Sequence, residues 1–404
     1  MPERPLHLSV ALDGAGWHPA AWRDLPGSGW ATSDLFGARY WADLVAEAER
    51  GLLDFVTFED AFALQSSLFD GPDGRGDQVR GRFDAVLLAA RVAPLTSRIG
   101  LVPTATTTHT EPFHVAIGIQ SLDHVSLGRA GWRPQVSGRR TDAAHFGRRQ
   151  GFPELRPDAL TAQSEHVRDL FDEAADAIEV ARRLWDSWED DAEIRDTATG
   201  RFVDRDKLHY IDFTGRWFGV KGPSITPRSP QGLPPVVALA HDVVPYRLAA
   251  LGADVVLITP HDVEQVRSIS AQVREAEAET GRAGEPLQVY ADLVVFLDDE
   301  PGAAAVRRAR LDDLDGAPYV SDALVFAGTP GELADLLLEW RAAGVEGYRL
   351  RPASLPHDLL GVTRGLAPEL RARGAFRAAY EAETLRGHLG LPRPASRYAA
   401  GAAR

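Results

Sequence analysis

Polar side chains that could do chemistry follow the predicted strands of this chain, at the points where the strands end. A carboxylate, several hydroxyls, an amide and imidazoles occur at these exits: Asp60, Thr106, Thr107, Thr108, His109, Gln135, Ser137 and His241. The loop after the first strand adds Trp17 and His18. This mixture of hydrogen-bonding groups suits a planar, anionic cofactor, and spacing alone leaves the identity of that cofactor open.

Other kinds of site lack their motifs. Histidines on separate strands could converge on a metal, but no HxH pair supports them, and Glu111 with His114 is an isolated ExxH. We therefore predict no metal site. The sequence contains no GxGxxG that opens a helix after a strand, no GxxxxGK[ST] and no GxSxG. Rossmann, P-loop and hydrolase interpretations are accordingly not favoured.

The elements that must position these side chains alternate between strands and helices. Eight apolar runs predict strands, at residues 6–12, 53–60, 98–104, 128–137, 234–241, 253–260, 287–297 and 345–352. Amphipathic helices follow many of these runs, for example ARYWADLVAEAERG and TPGELADLLLEWRAAG. Eight βα units predict an α/β fold of the (β/α)8 barrel type, in which the active site lies at the carboxyl ends of the strands.

Two segments interrupt the repeat, within what we expect to be one domain over residues 1–404. Residues 61–82 are rich in Gly and Asp and predict a mobile loop, whose Gln65 and Gln78 either line a substrate pocket or face solvent. Residues 148–233 predict an insertion between strands four and five, with a long amphipathic helix and a hairpin excursion. One stripe of that helix is apolar: Phe171, Ala174, Ile178, Ala181, Leu184, Trp185 and Trp188. Residues 390–404 predict a flexible tail or an oligomer contact.

Composition limits the partners. The 404 residues carry a formal net charge of −14, which disfavours nucleic acid and anionic membranes as partners. The chain has no cysteine, so disulfides, thiolate zinc sites and iron–sulfur clusters are excluded. No apolar run approaches ~18 residues and MPERPLHLSV has no signal pattern, so we expect a cytoplasmic protein.

A set of linked segments points to one family. The segments are GWHPAAWR, LLDFVTFED, RIGLVPTATTTHTEPFHVA, SLDHVSLGRAGW, AAHFG, RLWDSWEDDAEIRDTATGRF and FGVKGPSITPRSPQG. Together they resemble the luciferase-like flavin monooxygenases, in the branch with the nitrilotriacetate, dibenzothiophene-sulfone and long-chain alkane monooxygenases. The resemblance implies a barrel with an insertion, reduced FMN from a separate flavin reductase, O2, a small organic substrate and a homodimer. A deazaflavin-coenzyme-dependent oxidoreductase and a non-catalytic flavin-binding barrel are the alternatives.

The resemblance also implies roles for single residues. His18 matches a first-loop histidine and is the candidate general acid or base, with a turn-capping role as the alternative. Asp60, Thr106, Thr107, Gln135 and Ser137 match positions beside the flavin ring, although Asp60 could instead cap the next segment. Independently of the resemblance, Trp17, Gln65, His109 and His241 are candidate substrate contacts, and a structural hydrogen-bonding role is the alternative for His109 and His241.

Three positions depart from the family pattern. Arg133 replaces an asparagine, and Phe171 and Val243 replace a tyrosine and a serine that hold the FMN phosphate in relatives. Arg139, Arg140 and Arg351 are the candidate substitutes, because an arginine fork suits a phosphate. Weak flavin binding and a different cofactor are the alternatives. A solvated surface is the alternative for Arg139 and Arg140.

Overall fold

The computed structural model describes residues 5–149, 152 and 164–399. Eight strands of the described chain build the barrel: β1 His7–Leu12, β2 Phe55–Phe58, β3 Gly100–Thr106, β4 Arg133–Gln135, β9 Val237–Leu239, β10 Val255–Ile258, β11 Gln288–Leu297 and β13 Gly347–Pro352. Four short strands lie in the insertion: β5 Glu193–Asp196, β6 Arg201–Val203, β7 Phe213–Thr214 and β8 Gly219–Val220. A further strand, β12 Leu324–Gly328, precedes the last barrel strand.

Helices follow most strands. Their bounds are α1 Ala38–Arg50, α2 Ala85–Val92, α3 Pro112–Val125, α4 Arg140–Phe146, α5 Glu165–Asp186, α6 Val243–Gly252, α7 Val263–Glu279, α8 Ala303–Asp315, α9 Pro330–Ala342, α10 His357–Leu360, α11 Ala367–Ala372 and α12 Leu385–His388. Local sequence explains several ends. Thr329 and Glu332 form a capping box at the start of α9, and the Asp262 side chain caps α7.

The barrel is parallel and closed. Its strands lie in the order β4-β3-β2-β1-β13-β11-β10-β9. A parallel bridge between Trp132 and Val236 joins the two ends of this order, since the Trp132 N–H donates to the Pro235 carbonyl at 2.9 Å and the Val237 N–H donates to the Trp132 carbonyl at 2.9 Å. The predicted eight-stranded barrel is thereby confirmed, with each predicted strand in its place.

Strand β12 was missed by the sequence analysis. β10 pairs with the first half of β11, through Gln288–Ala291, and β12 pairs with its second half, through Leu293–Leu297. The long strand β11 thus has two successive neighbours on one side. The chain between α8 and β12 consequently reaches the carboxyl end of the barrel.

The insertion between β4 and β9 contains α4, α5 and two hairpins, β5–β6 and β7–β8. The predicted apolar stripe of α5 faces the core from Ala174 to Trp185, with Phe171 half-buried. Its last member, Trp188, lies beyond the end of the helix at Asp186, because the chain leaves the helix there and bridges to Leu208. Residues 150–151 and 153–163, also within the predicted insertion, lie outside the described residues. Part of the predicted tail packs on the fold, because Leu391 joins a buried cluster and the Tyr398 ring stacks on His209 at 3.8 Å. Residues 400–404 lie outside the described residues.

The amino-terminal end of the barrel is filled by apolar side chains. Phe55, Val102, Val237, Val255, Leu257 and Tyr290 form one buried cluster with Leu385, Leu389 and Leu391 of the C-terminal segment. We call this the lower layer. The fit is close, since a Cβ added at Gly100, the first residue of β3, would lie 2.6 Å from Leu385 Cδ1.

Candidate active site

Six charged side chains gather in the upper barrel, above the lower layer. They are Glu59, Arg133, Asp292, Asp322, Arg349 and Arg351, and we call them the charge belt. Alternation along the strands explains their position, because residues two apart point to the same face. On β11 and β13, Asp292 follows Tyr290 of the lower layer, and Arg349 and Arg351 face the same side.

Asp292 is the centre of the belt. Arg349 Nε donates to Asp292 Oδ1 at 2.9 Å, and Arg351 Nε donates to Asp292 Oδ2 at 2.9 Å. Burial by itself would raise the pKa of Asp292, but the two guanidinium groups outweigh it and hold the pKa below its usual value. All three side chains are at most 2% exposed, so their charges depend on one another.

The belt continues across the barrel through Glu59. Arg349 Nη1 lies 3.2 Å from Glu59 Oε1, and Arg133 Nη2 donates to Glu59 Oε2 at 2.5 Å. Arg133 Nε also donates to Thr104 Oγ1 at 2.9 Å. The arginine that departs from the family pattern is therefore matched by a carboxylate on β2's exit, a pairing that the sequence analysis did not find.

At the barrel mouth the belt ends at Asp322 and Trp17. Arg351 Nη1 donates to Asp322 Oδ1 at 2.6 Å, and its guanidinium carbon lies 4.7 Å from the centre of the Trp17 ring. Gly16 sets the position of Trp17. Its φ is +124°, and a Cβ there would overlap the carbonyl oxygen of Ala353, so the first loop can lie this close to β13 only with glycine.

His241 is exposed at the exit of β9. The walls of the mouth desolvate its imidazole and lower its pKa, against the opposing effect of Asp322. His241 is thus neutral near pH 7 and open to a ligand.

The exits of β3 and β4 are joined by hydrogen bonds. The Thr107 N–H and hydroxyl both donate to the Gln135 carbonyl, at 2.8 and 3.1 Å, and the Ser137 N–H donates to Thr108 Oγ1 at 3.0 Å. The Ser137 hydroxyl donates to Asp142 at 2.7 Å. The structure therefore brings these predicted residues together, with the Thr107 and Ser137 hydroxyls engaged inside the protein.

Asp60 holds the start of the next helix. Its carboxylate accepts hydrogen bonds from the N–H groups of Ala61, at 2.7 Å, and Ala85, at 3.0 Å. Ala85 is the first residue of α2, so Asp60 does cap the next segment. Burial raises the pKa of Asp60. The same side chain lines a cavity of about 720 Å³ that also includes Thr106 and His109.

His109 is strained and without hydrogen bonds in the described structure. Its φ is +72°, in the left-handed region that non-glycine residues seldom adopt. The side chain is buried, and neither ring nitrogen has a partner among the described residues. Burial, aided by Arg149 and Arg148, lowers the pKa of His109 to about 4. Strain and unsatisfied polar atoms occur together at ligand-binding positions more often than elsewhere.

His18 has both ring nitrogens engaged. Nδ1 accepts a hydrogen bond from the Ala20 N–H at 3.1 Å, so Nε2 carries the proton and donates to Asp312 on α8 at 3.1 Å. Burial lowers the pKa of His18, and Asp312 opposes that shift. The predicted general acid or base is consequently a neutral imidazole fixed between the first loop and α8, and its catalytic role stays a prediction.

The predicted phosphate arginines Arg139 and Arg140 are placed beside α4. The Arg140 N–H donates to Asp70 at 3.1 Å, and the Arg139 N–H donates to Ser137 Oγ at 3.3 Å. Arg140 Nε also lies 3.5 Å from Asp70, which draws residues 61–82 onto α4. At α6, Asp242 caps the helix and Val243 is exposed. A phosphate role for Arg139 and Arg140 stays a prediction.

The remaining predicted residues, Trp17 and Gln65, line a second cavity of about 440 Å³ between the first loop and residues 61–82. We call it the loop cavity. In the described chain no group of three or more metal-ligating side chains is arranged to hold an ion. None of the described helices is long and apolar enough to cross a bilayer.

Comparison with known proteins identifies the family. Residues 17–319 match the luciferase-like monooxygenase family. The chain belongs to it. This luciferase-like monooxygenase is 30% identical to the N-acetyl-S-(2-succino)cysteine monooxygenase of Bacillus subtilis (strain 168), over 98% of this chain and 99% of that protein. It is 29% identical to nitrilotriacetate monooxygenase component A of Aminobacter aminovorans, over 97% of each.

The fold comparison agrees with the barrel. The crystal structure of long-chain alkane monooxygenase superposes with a TM-score of 0.80 at 21% sequence identity, over 96% of each chain. The resemblance seen in the sequence segments and the expectation of an oxidoreductase are both confirmed.

Proposed function

We propose that this protein oxygenates a small organic molecule with O2 and reduced FMN, and that a separate flavin reductase delivers the reduced FMN. The observation that carries the proposal is the carboxyl end of the barrel, where polar strand-exit groups lie above the charge belt and Asp60, Thr106 and His109 line a cavity of about 720 Å³. The nitrilotriacetate relative is named as component A, which agrees with a system of more than one protein.

The residues present fit the ring of a flavin. Gln135 and His241 line the exits of β4 and β9, and both are reached by solvent. The two ring nitrogens of buried His109, which lines the cavity of about 720 Å³, have no hydrogen-bond partner among the described residues. A planar ring with carbonyl and N–H groups along its edge supplies the partners that these nitrogens need. Thr106, Gln135 and His241 are the side chains that would hold the ring.

When bound, reduced FMN supplies the electrons that activate O2. The chain's own contribution is to position the ring, exclude water and handle protons. Water is excluded by residues 61–82, which Asp70 ties to α4 and which Arg75 ties to Asp315 at 2.8 Å.

We assign proton transfer to His241 in preference to His18. The His241 imidazole is neutral and accessible, so its free nitrogen accepts or returns a proton without breaking an internal hydrogen bond. His18 would first have to release Ala20 or Asp312. In this assignment His18 is a positioning residue that joins the first loop to α8.

Assembly is a further part of the proposal. Leu87 on α2 is 70% exposed and Val125 on α3 is 57% exposed. We propose that α2 and α3 form a homodimer contact that covers both side chains. The molar mass of the protein in solution, measured by light scattering, checks this assignment. A monomer at micromolar concentration contradicts it.

The test of the function is an anaerobic titration of the purified protein with reduced FMN, oxidised FMN and oxidised deazaflavin coenzyme. We expect reduced FMN to bind most tightly. A preference for the deazaflavin would move the assignment to hydride transfer. Binding of none of the three would make the chain an accessory barrel and overturn the proposal.

A further inference from the structure

The loop cavity has walls from three separate parts of the chain. The first loop contributes Trp17 and Trp22, residues 61–82 contribute Gln65 and Gln78, and the segment before β12 contributes Tyr319. Its volume of about 440 Å³ is in the range of small-molecule sites, which lies between roughly 300 and 1,000 Å³. Trp17 connects it to the mouth, because the ring stacks under Arg351 of the charge belt.

Three aromatic rings of this cavity are held in place. The Trp22 indole N–H donates to the Asp77 carbonyl at 2.9 Å. The backbone N–H of Tyr319 donates to Asp312 at 2.8 Å, and the Tyr319 ring lies 5.2 Å from that of His18. Rings that are fixed before binding offer flat surface at low entropic cost, and they favour a planar, ring-containing ligand.

The charges in the cavity wall are already paired. Arg82 donates from Nε and Nη2 to the two carboxylate oxygens of Asp13, at 2.9 and 2.6 Å. Arg80 Nη2 donates to both carboxylate oxygens of Asp73, at 2.8 and 2.9 Å. Asp315 accepts from Gln78 at 2.8 Å. A ligand carboxylate would have to break one of these contacts to find a cation, so the wall disfavours anions.

Polar groups nevertheless make the wall unsuited to a plain hydrocarbon. Besides Gln65 and Gln78, the serines Ser66 and Ser67 line the cavity. The indole N–H of Trp17 is buried without an acceptor among the described residues. An oxygen acceptor on a ligand that seats against Trp17 would satisfy this donor, which otherwise costs free energy.

We propose that the loop cavity binds the substrate, and that the substrate is an uncharged, planar ring compound with a hydrogen-bond acceptor. This inference rests on the proposed monooxygenase function and adds the substrate class. It sets this chain apart from relatives named for nitrilotriacetate and for long-chain alkanes, and it agrees in ring chemistry with relatives named for dibenzothiophene sulfone.

The test uses a matched pair of probes that differ by one negative charge. Coumarin is a neutral planar bicycle with a ring oxygen and a carbonyl, and coumarin-3-carboxylate has the same ring with a carboxylate. We expect calorimetric titration of the full chain to show coumarin binding at least tenfold more tightly, and nitrilotriacetate not binding. Equal or tighter binding of the carboxylate, or no binding of coumarin, would overturn the proposal.

Variants locate the binding. Trp17→Leu removes the ring and should weaken coumarin binding at least tenfold, whereas Trp17→Phe should weaken it less because a ring remains. Trp217→Leu, in the turn between β7 and β8, is the matched control and should leave binding unchanged. Circular dichroism confirms that each variant is folded, and coumarin binding that is equal in all of them would contradict the assignment of the cavity.

A titration of the same wild-type sample with reduced FMN separates the two proposals. Reduced FMN bound without coumarin rejects the substrate class and leaves the monooxygenase function in place. Coumarin bound without reduced FMN rejects the function. Neither ligand bound rejects both.

Discussion

The two ends of the barrel are built from opposite kinds of side chain. The lower layer is apolar and sealed by Leu385, Leu389 and Leu391 of the C-terminal segment. The upper end contains the charge belt, the exposed His241, and His109, whose ring nitrogens have no hydrogen-bond partner among the described residues. One strand can serve both ends, since β11 carries Tyr290 in the lower layer and Asp292 in the belt.

The difference separates the side chains that stabilise the fold from the side chains that serve the chemistry. Burying apolar side chains stabilises the fold at about 25 cal/mol per Å². Burying the charges of Arg133, Asp292, Arg349 and Arg351 yields little net stability, because desolvation offsets much of their attraction to the carboxylates. A belt of this kind is therefore expected to serve the site above it, while the lower layer holds the barrel closed.

The largest expected effect is on turnover at the upper end. His241→Gln should lower the rate at which bound reduced FMN is reoxidised by O2 by at least about 10²-fold, the usual size of a general acid–base contribution. His261→Gln, at the exit of the next strand, is the matched control, and stopped-flow absorbance measures all variants. A large loss in His18→Gln with none in His241→Gln would reverse the assignment.

The centre of the belt should matter most for stability. Asp292→Ala leaves Arg349 and Arg351 buried without their common partner, and we expect a loss of about 3–5 kcal/mol in the free energy of unfolding. Denaturant unfolding measures it. Glu264→Ala, which removes an exposed pair with Arg267, should cost under about 1 kcal/mol. Equal losses in the two variants would show that the belt is not a coupled unit.

In the lower layer, Leu385→Ala should destabilise the protein by about 2–5 kcal/mol, because Leu385 is fully buried and packs tightly over Gly100. Binding of reduced FMN should stay the same, since the change is at the opposite end of the barrel. Leu127→Ala is the control, as Leu127 is 76% exposed. A loss of flavin affinity in Leu385→Ala would contradict the claim that the lower layer contributes only stability.

His109 should make stability depend on pH. Its pKa in the folded protein is about 4, below the value of 6.5 in the unfolded chain, so only the unfolded state binds the proton between these values. The free energy of unfolding should therefore fall as pH drops from 6.5 to 4, by at most about 3 kcal/mol from this group. His109→Asn should flatten this part of the curve, as unfolding at several pH values would show. His145→Asn, at an exposed position, should leave the slope unchanged, and an unchanged slope in His109→Asn contradicts the prediction.

The smallest expected effect concerns the phosphate. Val243→Ser adds a hydroxyl at an exposed position of α6 and should change stability by less than about 0.5 kcal/mol. If the FMN phosphate lies there, one new hydrogen bond of about 1 kcal/mol tightens reduced FMN binding roughly fivefold. Reduced riboflavin, which lacks the phosphate, is the control ligand. An equal gain in affinity for reduced FMN and reduced riboflavin would show that the new hydroxyl does not contact the phosphate.

Local pattern was sufficient to predict the barrel. Most barrel strands are apolar runs bounded by turns, although β4 is Arg-Pro-Gln and β13 carries two arginines, and each predicted run lies in its expected place. Strand β12 was missed because its five residues, LVFAG, are half-buried and follow a polar segment with no repeat spacing. The Gly and Asp content of residues 61–82 predicted a mobile loop. In the structure, aspartates of this loop form ion pairs with arginines, as Asp73 does with Arg80.

The sequence predicted which residues belong to the candidate site, but it did not predict how their side chains contact one another. Sequence placed His18 at the first loop, but its partner Asp312 lies on α8, 294 positions along the chain. Nor could spacing show that Arg133 faces Glu59, because strand register and side-chain reach decide that contact. Asp60 illustrates the same limit, since both its capping contacts and its place in a cavity wall follow from how α2 begins.

The closure of the barrel between β4 and β9 has a consequence for slow motion in solution. β1 and β13 pair over four residue positions, whereas β4 and β9 meet through the single bridge of Trp132 and Val236. The amide protons of Trp132 and Val237 should therefore exchange with deuterium sooner than those of the neighbouring barrel strands. This seam lies beside Val237 of the lower layer, so transient separation there would first expose the sealed, apolar end of the barrel to water and would leave the mouth in place.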